Sequence, residues 1–421
     1  LPNDGVVTMR EFIEAMRKAG RVIDISGPCS PDDMKAAKKA AGTDNLLFFH
    51  NIGGARAVMN VTAGREALAL ALGIDKKNLV KKLAEANFDG KIVNDGKLAM
   101  QKPDLAKIPV MHFFPKDAGN YFTAGIVFSK WDGVENASIH RMLVLDDHRV
   151  AARLVEGRHT YVMHKKALAC GERLPIAVVV GVHPAVTFAS CTRVPTGKEL
   201  AYAAELLGGT IHVKECSNGV LVPADAEIVL EGFIGPEVTD EGPFVDITGT
   251  YDPVRRQPVI EFTGMYTKPD FIYHSILPGG DEHKILMGCP YEPKIYKAVA
   301  GVTEVRNVVL TKGGCGYLHA VVQIKKSTQG DGKNAIMAAF AAHTSLKHVV
   351  IVDEDIDPTD PHDVEYAIAT RVSGDTDVMV ITGVRGSSLD PCQKPDGTNV
   401  KIGVDATMVL GHEDEFRRAT W

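Results

Sequence analysis

The chain has no Cys-x-x-Cys pair, no Gly-x-Gly-x-x-Gly after a strand, no Walker A sequence and no His-Glu-x-x-His. These absences exclude local zinc motifs, dithiol redox motifs and the common nucleotide fingerprints. Seven cysteines are scattered without pattern, as in reduced cytoplasmic chains, where most thiols behave as small buried hydrophobes. No apolar run reaches membrane-spanning length. The first residues, from Leu1 to Asp4, carry no signal-peptide pattern. A net charge of −6 supplies no general basic field for nucleic acid or anionic lipid. These readings predict a cytoplasmic protein that works on a small molecule, with neither nucleic acid nor membrane as partner.

What is present is an ordinary globular composition, 45% hydrophobic and 24% charged over 421 residues, enough for two or three cores. Three textures follow one another. Residues 1–114 read as an α/β region, with helical spacing over Met9–Ala19, Arg65–Leu72 and Lys76–Ala86. Residues 115–290 are rich in short, alternating or β-branched runs, among them Tyr121–Phe128, Met142–Leu145, Glu227–Ile234, Asp246–Thr250 and Pro258–Tyr266. That spacing predicts a sandwich or barrel with one inserted helix near Lys198–Leu207. Residues 291–421 alternate strand and helix, as in Val305–Leu310, Lys333–His343 and His348–Val352, which predicts an α/β layer domain. The Gly-Pro stretch Leu277–Asp281 reads as a mobile loop.

Glu241-Gly-Pro-Phe-Val-Asp246 places two carboxylates five positions apart across a Gly-Pro bend. An odd separation in a straight strand would point them to opposite faces. The bend removes that rule, so both can face one pocket, where one acid stays ionised and the other delivers a proton. Arg141 ends Asn136-Ala-Ser-Ile-His-Arg, and arginine's planar fork suits a carboxylate. Arg158-His159 and Glu199 lie further on. A metal site built from Asn136, His159 and Glu199 would be long-range and invisible to periodicity. Gly383–Pro391 is a surface loop or a phosphate cradle, and Lys401-Ile-Gly-Val-Asp405-Ala-Thr follows it.

Taken in order, Asn-x-Ser-Ile-x-Arg, Arg-His, Val222-Pro-Ala-x-x-Glu-Ile-Val-Leu-Glu-Gly232, Glu-Gly-Pro-Phe-x-Asp and Lys-x-Gly-x-Asp-Ala-Thr resemble the UbiD family of reversible decarboxylases, which use prenylated FMN. The resemblance spans nearly the whole chain. It implies an N-terminal α/β region, a central split β-barrel that holds the flavin, and a C-terminal α/β domain. It implies a homodimer or homohexamer, and a flavin prenyltransferase as the source of cofactor. Asn136, His159 and Glu199 resemble the ligands of a divalent metal, usually Mn2+, with K+ nearby; such nitrogen and oxygen donors suit manganese. Ser138, Ile139, His140, Arg141 and Arg158 resemble cofactor contacts, and Lys401 resembles a lysine that reaches the cofactor. Arg141, Glu241 and Asp246 resemble the catalytic trio.

The chemistry explains these residue types. Loss of CO2 leaves electrons that need a sink, which the modified flavin supplies. Arg141 would orient the carboxylate, Glu241 would hold Arg141, and Asp246 would hand a proton to the product carbon. Some family members carry Glu where this chain has Asp246, so the shorter side chain implies a different pocket. The wording around Arg141 and Tyr251 looks most like archaeal members associated with trans-anhydromevalonate 5-phosphate and isopentenyl phosphate. Arg193, Lys268, His274 and Lys284 are then candidates for the phosphate. An aromatic or heteroaromatic acid decarboxylase of the same family is the alternative, and a split-barrel flavin oxidoreductase a distant one.

Overall fold

The structure is a computed structural model and describes residues 7–419. The chain divides into two compact units, Leu1–Asp75 with Ala86–Leu286 and Lys76–Glu85 with Met287–Trp421.

The first unit begins with the helix Met9–Lys18, whose Thr8 and Glu11 form a reciprocal cap at its N-terminus. Met9, Phe12, Ile13 and Met16 recur at helical spacing and are all buried. They pack on Leu46, Phe48, Val58 and Ile272. Those partners belong to a four-stranded sheet ordered Val22–Ile25, Leu46–Ile52, Ala55–Met59, Ile272–His274. Arg10 ties this helix to fully buried Glu227 through two hydrogen bonds of 2.7 Å.

The larger sheet of this unit has eight strands, every pair antiparallel. Its order is Tyr121–Phe122, Met142–Val144, Arg149–Ala152, Arg255–Thr267, Ile228–Glu241, Leu174–Val180, Ile126–Trp131 and Val134–Ile139. The expected strand Tyr121–Phe128 is two strands. Between them Gly125 lets Met142 approach, since a Cβ there would lie 2.4 Å from the Met142 side chain. Asp246–Thr250, expected as a strand, is the turn joining Phe244–Val245 to Tyr251–Asp252. The single inserted helix is also corrected. Glu199–Leu206 is there, but His159–Ala169 and Pro184–Cys191 are helices as well.

The second unit holds a five-stranded sheet ordered Glu304–Leu310, His319–Lys325, His348–Val352, Thr398–Ala406, Val378–Arg385. Its inner pairings are parallel and its two outer ones antiparallel. The helix Asp331–Ala342 lies close on Thr398–Ala406, because a Cβ on Gly403 would sit 2.3 Å from Ile336. Thus Gly403 in the Lys401–Thr407 motif serves packing. In the loop after Gly383, Asp390 accepts from Cys392 N–H at 2.9 Å and pairs with Lys347 at 3.1 Å. That loop is filled by its own carboxylate. Among the described residues no helix is long and apolar enough to cross a membrane.

Candidate active site

Asn136, Ser138 and His140 occupy every second position on and just beyond the edge strand Val134–Ile139, so their side chains share one face. His140 is buried, and burial holds its pKa below the ordinary value. Its Nδ1 lies 2.9 Å from the Arg153 carbonyl, which can only accept, so Nδ1 carries the proton. Nε2 therefore accepts from Ser138 Oγ at 2.8 Å. Ser138 Oγ in turn accepts from Thr160 Oγ1 at 2.9 Å, and Thr160 accepts from Asn136 Nδ2 at 3.1 Å. This relay turns the Asn136 amide oxygen away from Thr160. It comes to lie 3.1 Å from His159 Nδ1 and 3.2 Å from Glu199 Oε1.

His159 opens the helix His159–Ala169 and Glu199 opens Glu199–Leu206, so two helix starts and one strand converge. His159 Nδ1 and Glu199 Oε1 are 3.9 Å apart. With His159 Nδ1 unprotonated, three acceptor atoms face one another, a set that suits a hard cation. Rotating the amide would satisfy hydrogen bonds without a cation, but would break the relay from His140. The donor set therefore fits a divalent metal. Burial, together with nearby Glu135, raises Glu199 to about 7 from its ordinary 4.5. Because the folded value is the higher one, metal-free protein loses stability as pH rises from about 4.5 to 7. A metal replaces that proton. We expect Mn2+ at hundredfold excess over Kd to stabilise chelator-treated protein by on the order of 2–3 kcal/mol at about pH 7.5, read as a higher melting temperature, and by less at about pH 5.5. Equal shifts at both pH values would remove Glu199 as a ligand.

Arg141 follows the same strand and is 11% exposed, while Glu241 is 0% exposed. Arg141 donates from Nε and Nη2 to the two Glu241 oxygens at 2.9 and 3.0 Å. The fork expected to face a substrate is thus spent on Glu241. Asp246 is 24% exposed, and its Oδ2 stands 3.5 Å from Arg141 Nη1. Burial opposes charge on Arg141, yet Glu241, Asp252 and Asp246 together raise its pKa.

The Gly242-Pro243 bend depends on Gly242, which has φ +95° and would bring a Cβ to 3.1 Å of the Pro253 carbonyl. Tyr121, fully buried, accepts from Gly242 N–H at 3.1 Å and packs on Phe244 at 4.2 Å between centroids. Phe244 in turn lies 5.0 Å beneath the Arg141 guanidinium.

Two groups escaped the sequence reading. Asp252 accepts from Arg141 Nη2 at 2.9 Å. It is brought there by pairing with Phe244 across the 246–250 turn. The signal was the Thr248-Gly-Thr250 turn, which predicts a hairpin and hence Asp252 opposite Phe244. His283 is the second. Its Nδ1 accepts from Gly279 N–H at 3.0 Å, and burial lowers its pKa against the pull of Asp246. The Leu277–Asp281 stretch sits against the turn carrying the second acid, since a Cβ on Gly279 would lie 3.2 Å from the Asp246 carbonyl.

Of the remaining candidates, Ile139 ends its strand half-buried and Arg158 is exposed at the start of His159–Ala169. Lys401 lies in the second unit. Its ammonium donates to the Thr344 carbonyl at 2.7 Å and to that of Leu346, and burial lowers it to about 8. Lys268 pairs with Glu227 at 3.5 Å and donates to the Asp225 carbonyl, while His274 pairs with Glu282 at 3.1 Å.

The chain matches the 3-octaprenyl-4-hydroxybenzoate carboxy-lyase N-terminal domain over residues 13–86, the Rift-related domain over 89–281 and the C-terminal domain over 284–406. It is 53% identical over 419 residues to anhydromevalonate phosphate decarboxylase of Methanosarcina mazei, covering 98% of this chain and 99% of that one. The structure of the UbiD-class enzyme HmfF from Pelotomaculum thermopropionicum with FMN superposes with a TM-score of 0.93 at 34% identity, covering 98% and 97% of the two chains. An evolved dimeric form of HmfF with prFMN gives 0.89 at 32% identity, with the same coverage of 98% and 97%. These matches make the protein an enzyme of the carboxy-lyase class. The chain belongs to the UbiD family.

Proposed function

We propose that the protein decarboxylates trans-anhydromevalonate 5-phosphate to isopentenyl phosphate and CO2, using prenylated FMN. The observation that carries this is Arg141, whose Nε and Nη2 are held by Glu241 and Asp252 while Nη1 faces Asp246 across 3.5 Å. The substrate is supported by the named Methanosarcina relative and the cofactor by the prFMN-bound HmfF structure. Bound flavin would supply the electron sink.

The residues then divide the work. Nη1 of Arg141 receives the substrate carboxylate beside Asp246. Glu241 and Asp252 keep the guanidinium from turning. Asp246 hands its proton to the carbon that lost CO2. Asn136, His159 and Glu199 would hold Mn2+, with K+ close by, at the cofactor's phosphate end. Ser138, Ile139, His140, Arg141, Arg158 and Lys401 would contact the cofactor. Residues 1–114, 115–290 and 291–421 act as the α/β region, the split barrel and the C-terminal domain; the three family matches support this order, with the Rift-related match starting earlier, at residue 89. We place the protein in the cytoplasm as a homodimer or homohexamer that receives its flavin from a prenyltransferase.

Holoenzyme made with a flavin prenyltransferase and Mn2+ is expected to release CO2 from trans-anhydromevalonate 5-phosphate and not from 4-hydroxybenzoate. The reverse preference would replace the substrate with an aromatic acid. Nicotinamide-dependent reduction of plain FMN would overturn the whole reading.

A further inference from the structure

Asp246 and Asp252 both sit on a hairpin that no larger sheet holds. Its strands Phe244–Val245 and Tyr251–Asp252 are two residues long and pair only with each other. A two-stranded hairpin of this kind is marginal by itself. Yet a proton donor must keep its place, because a misplacement of about 1 Å can cost about a hundredfold in rate.

The segment 113–121 supplies what the hairpin lacks. Ala118 N–H donates to the Pro243 carbonyl at 3.1 Å, and Lys116 N–H donates to the Tyr251 hydroxyl at 3.1 Å. Asp117 lies between these two tethers in the chain and is 7% exposed. Its Oδ2 accepts from Phe114 N–H at 2.9 Å, which closes the segment on itself. The Val245 N–H, one residue before Asp246, is near enough to favour the Asp117 charge. One carboxylate thus faces its own segment and the strand that leads into the proton donor. Burial raises its pKa, and these N–H groups offset that only in part. Oδ1 is buried without a hydrogen bond. Such a group is costly to keep for stability alone.

We infer that Asp117 is a positioning residue for the reaction, fixing the 244–252 hairpin so that Asp246 keeps its place beside Arg141. The inference rests on Asp246 as proton donor. Asp117 itself touches neither Arg141 nor its acids. It acts through Val245 and through the two backbone tethers on either side of it.

The test compares wild-type, Asp117→Ala, Asp117→Asn and Tyr251→Phe holoenzymes on trans-anhydromevalonate 5-phosphate. The readouts are kcat per bound flavin, KM, the pH profile of kcat, and melting temperature. For Asp117→Ala we expect kcat to fall about 10- to 100-fold, with KM within about threefold. The pKa governing kcat should rise by about half a unit or more, since a loosened Asp246 spends less time near the Arg141 charge. Asp117→Asn keeps an oxygen for the N–H groups and should recover most of kcat. Tyr251→Phe removes one tether at a 39% exposed side chain, where folding is not at risk. It should move kcat and the pH profile in the same direction, by about two- to fivefold in kcat.

A lower melting temperature in Asp117→Ala with kcat per flavin and pH profile unchanged assigns the residue to folding and overturns the inference. An Asp117→Ala protein that does not fold, together with an unchanged Tyr251→Phe, overturns it as well. In both cases an inactive Asp246→Asn enzyme leaves the proposed reaction standing. If Asp246→Asn keeps its turnover, the proton donor and the inference fall together.

Discussion

Asp246→Asn is expected to lower CO2 release by about 10²–10⁴-fold and leave flavin content unchanged. The amide keeps the size and the hydrogen bond from Ile247 N–H, which the carboxylate accepts at 2.6 Å. It cannot deliver a proton. Asp246 is suited to that task because it is the acid that Arg141 does not hold closely, at 3.5 Å against 2.9 Å for Glu241 and Asp252. Stopped-assay CO2 measurement beside the flavin spectrum checks the prediction. Retention of a tenth or more of wild-type turnover would move the proton donor elsewhere, with His283 the next residue to replace.

Arg141→Met has the second large effect, and it acts on both activity and stability. Turnover should fall by at least about 10²–10³-fold, because the group that receives the substrate carboxylate is gone. The fold should lose about 3–5 kcal/mol, since fully buried Glu241 keeps a charge without its partner. Urea unfolding measures the second quantity. The double change Arg141→Met with Glu241→Met separates the two roles. It should recover much of the stability, because an apolar pair removes the stranded charge, and should recover none of the activity. If Arg141→Met alone unfolds no earlier than wild type, Glu241 is not held by this pair.

Arg141 and the Asn136–His140 stretch were legible as one local segment, whereas His159 and Glu199 entered only through the family resemblance, because two helix starts far along the chain bring them to Asn136. Asn136, Ser138 and His140 follow the two-residue period of a strand, and Arg141 follows them. Glu241 and Asp246 were legible because a Gly-Pro bend joins them. Asp252 was not, because its place depends on which residue it faces across a turn whose Ile247 and Thr248 read as strand formers. His159–Ala169 and Pro184–Cys191 were missed for a related reason. Their Thr, Val and aromatic residues disfavour an isolated helix, while Thr160, Met163 and Ala167 are buried in one and nearly all of Pro184–Cys191 in the other. Burial outweighs intrinsic preference there.

The stretch from Asn136, third residue of the edge strand Val134–Ile139, to Arg141 just beyond that strand works as a ruler. Five residues of nearly extended chain span on the order of 15 Å, and the cation ligand and the carboxylate receiver are fixed to its two ends. Inserting or deleting one residue within it would change that length and also turn Ser138 and His140 to the opposite face. The His140 relay to Asn136 would break in the same step. Length and facing are thus inherited together, which makes this short segment far less tolerant of insertion than the loops on either side of it.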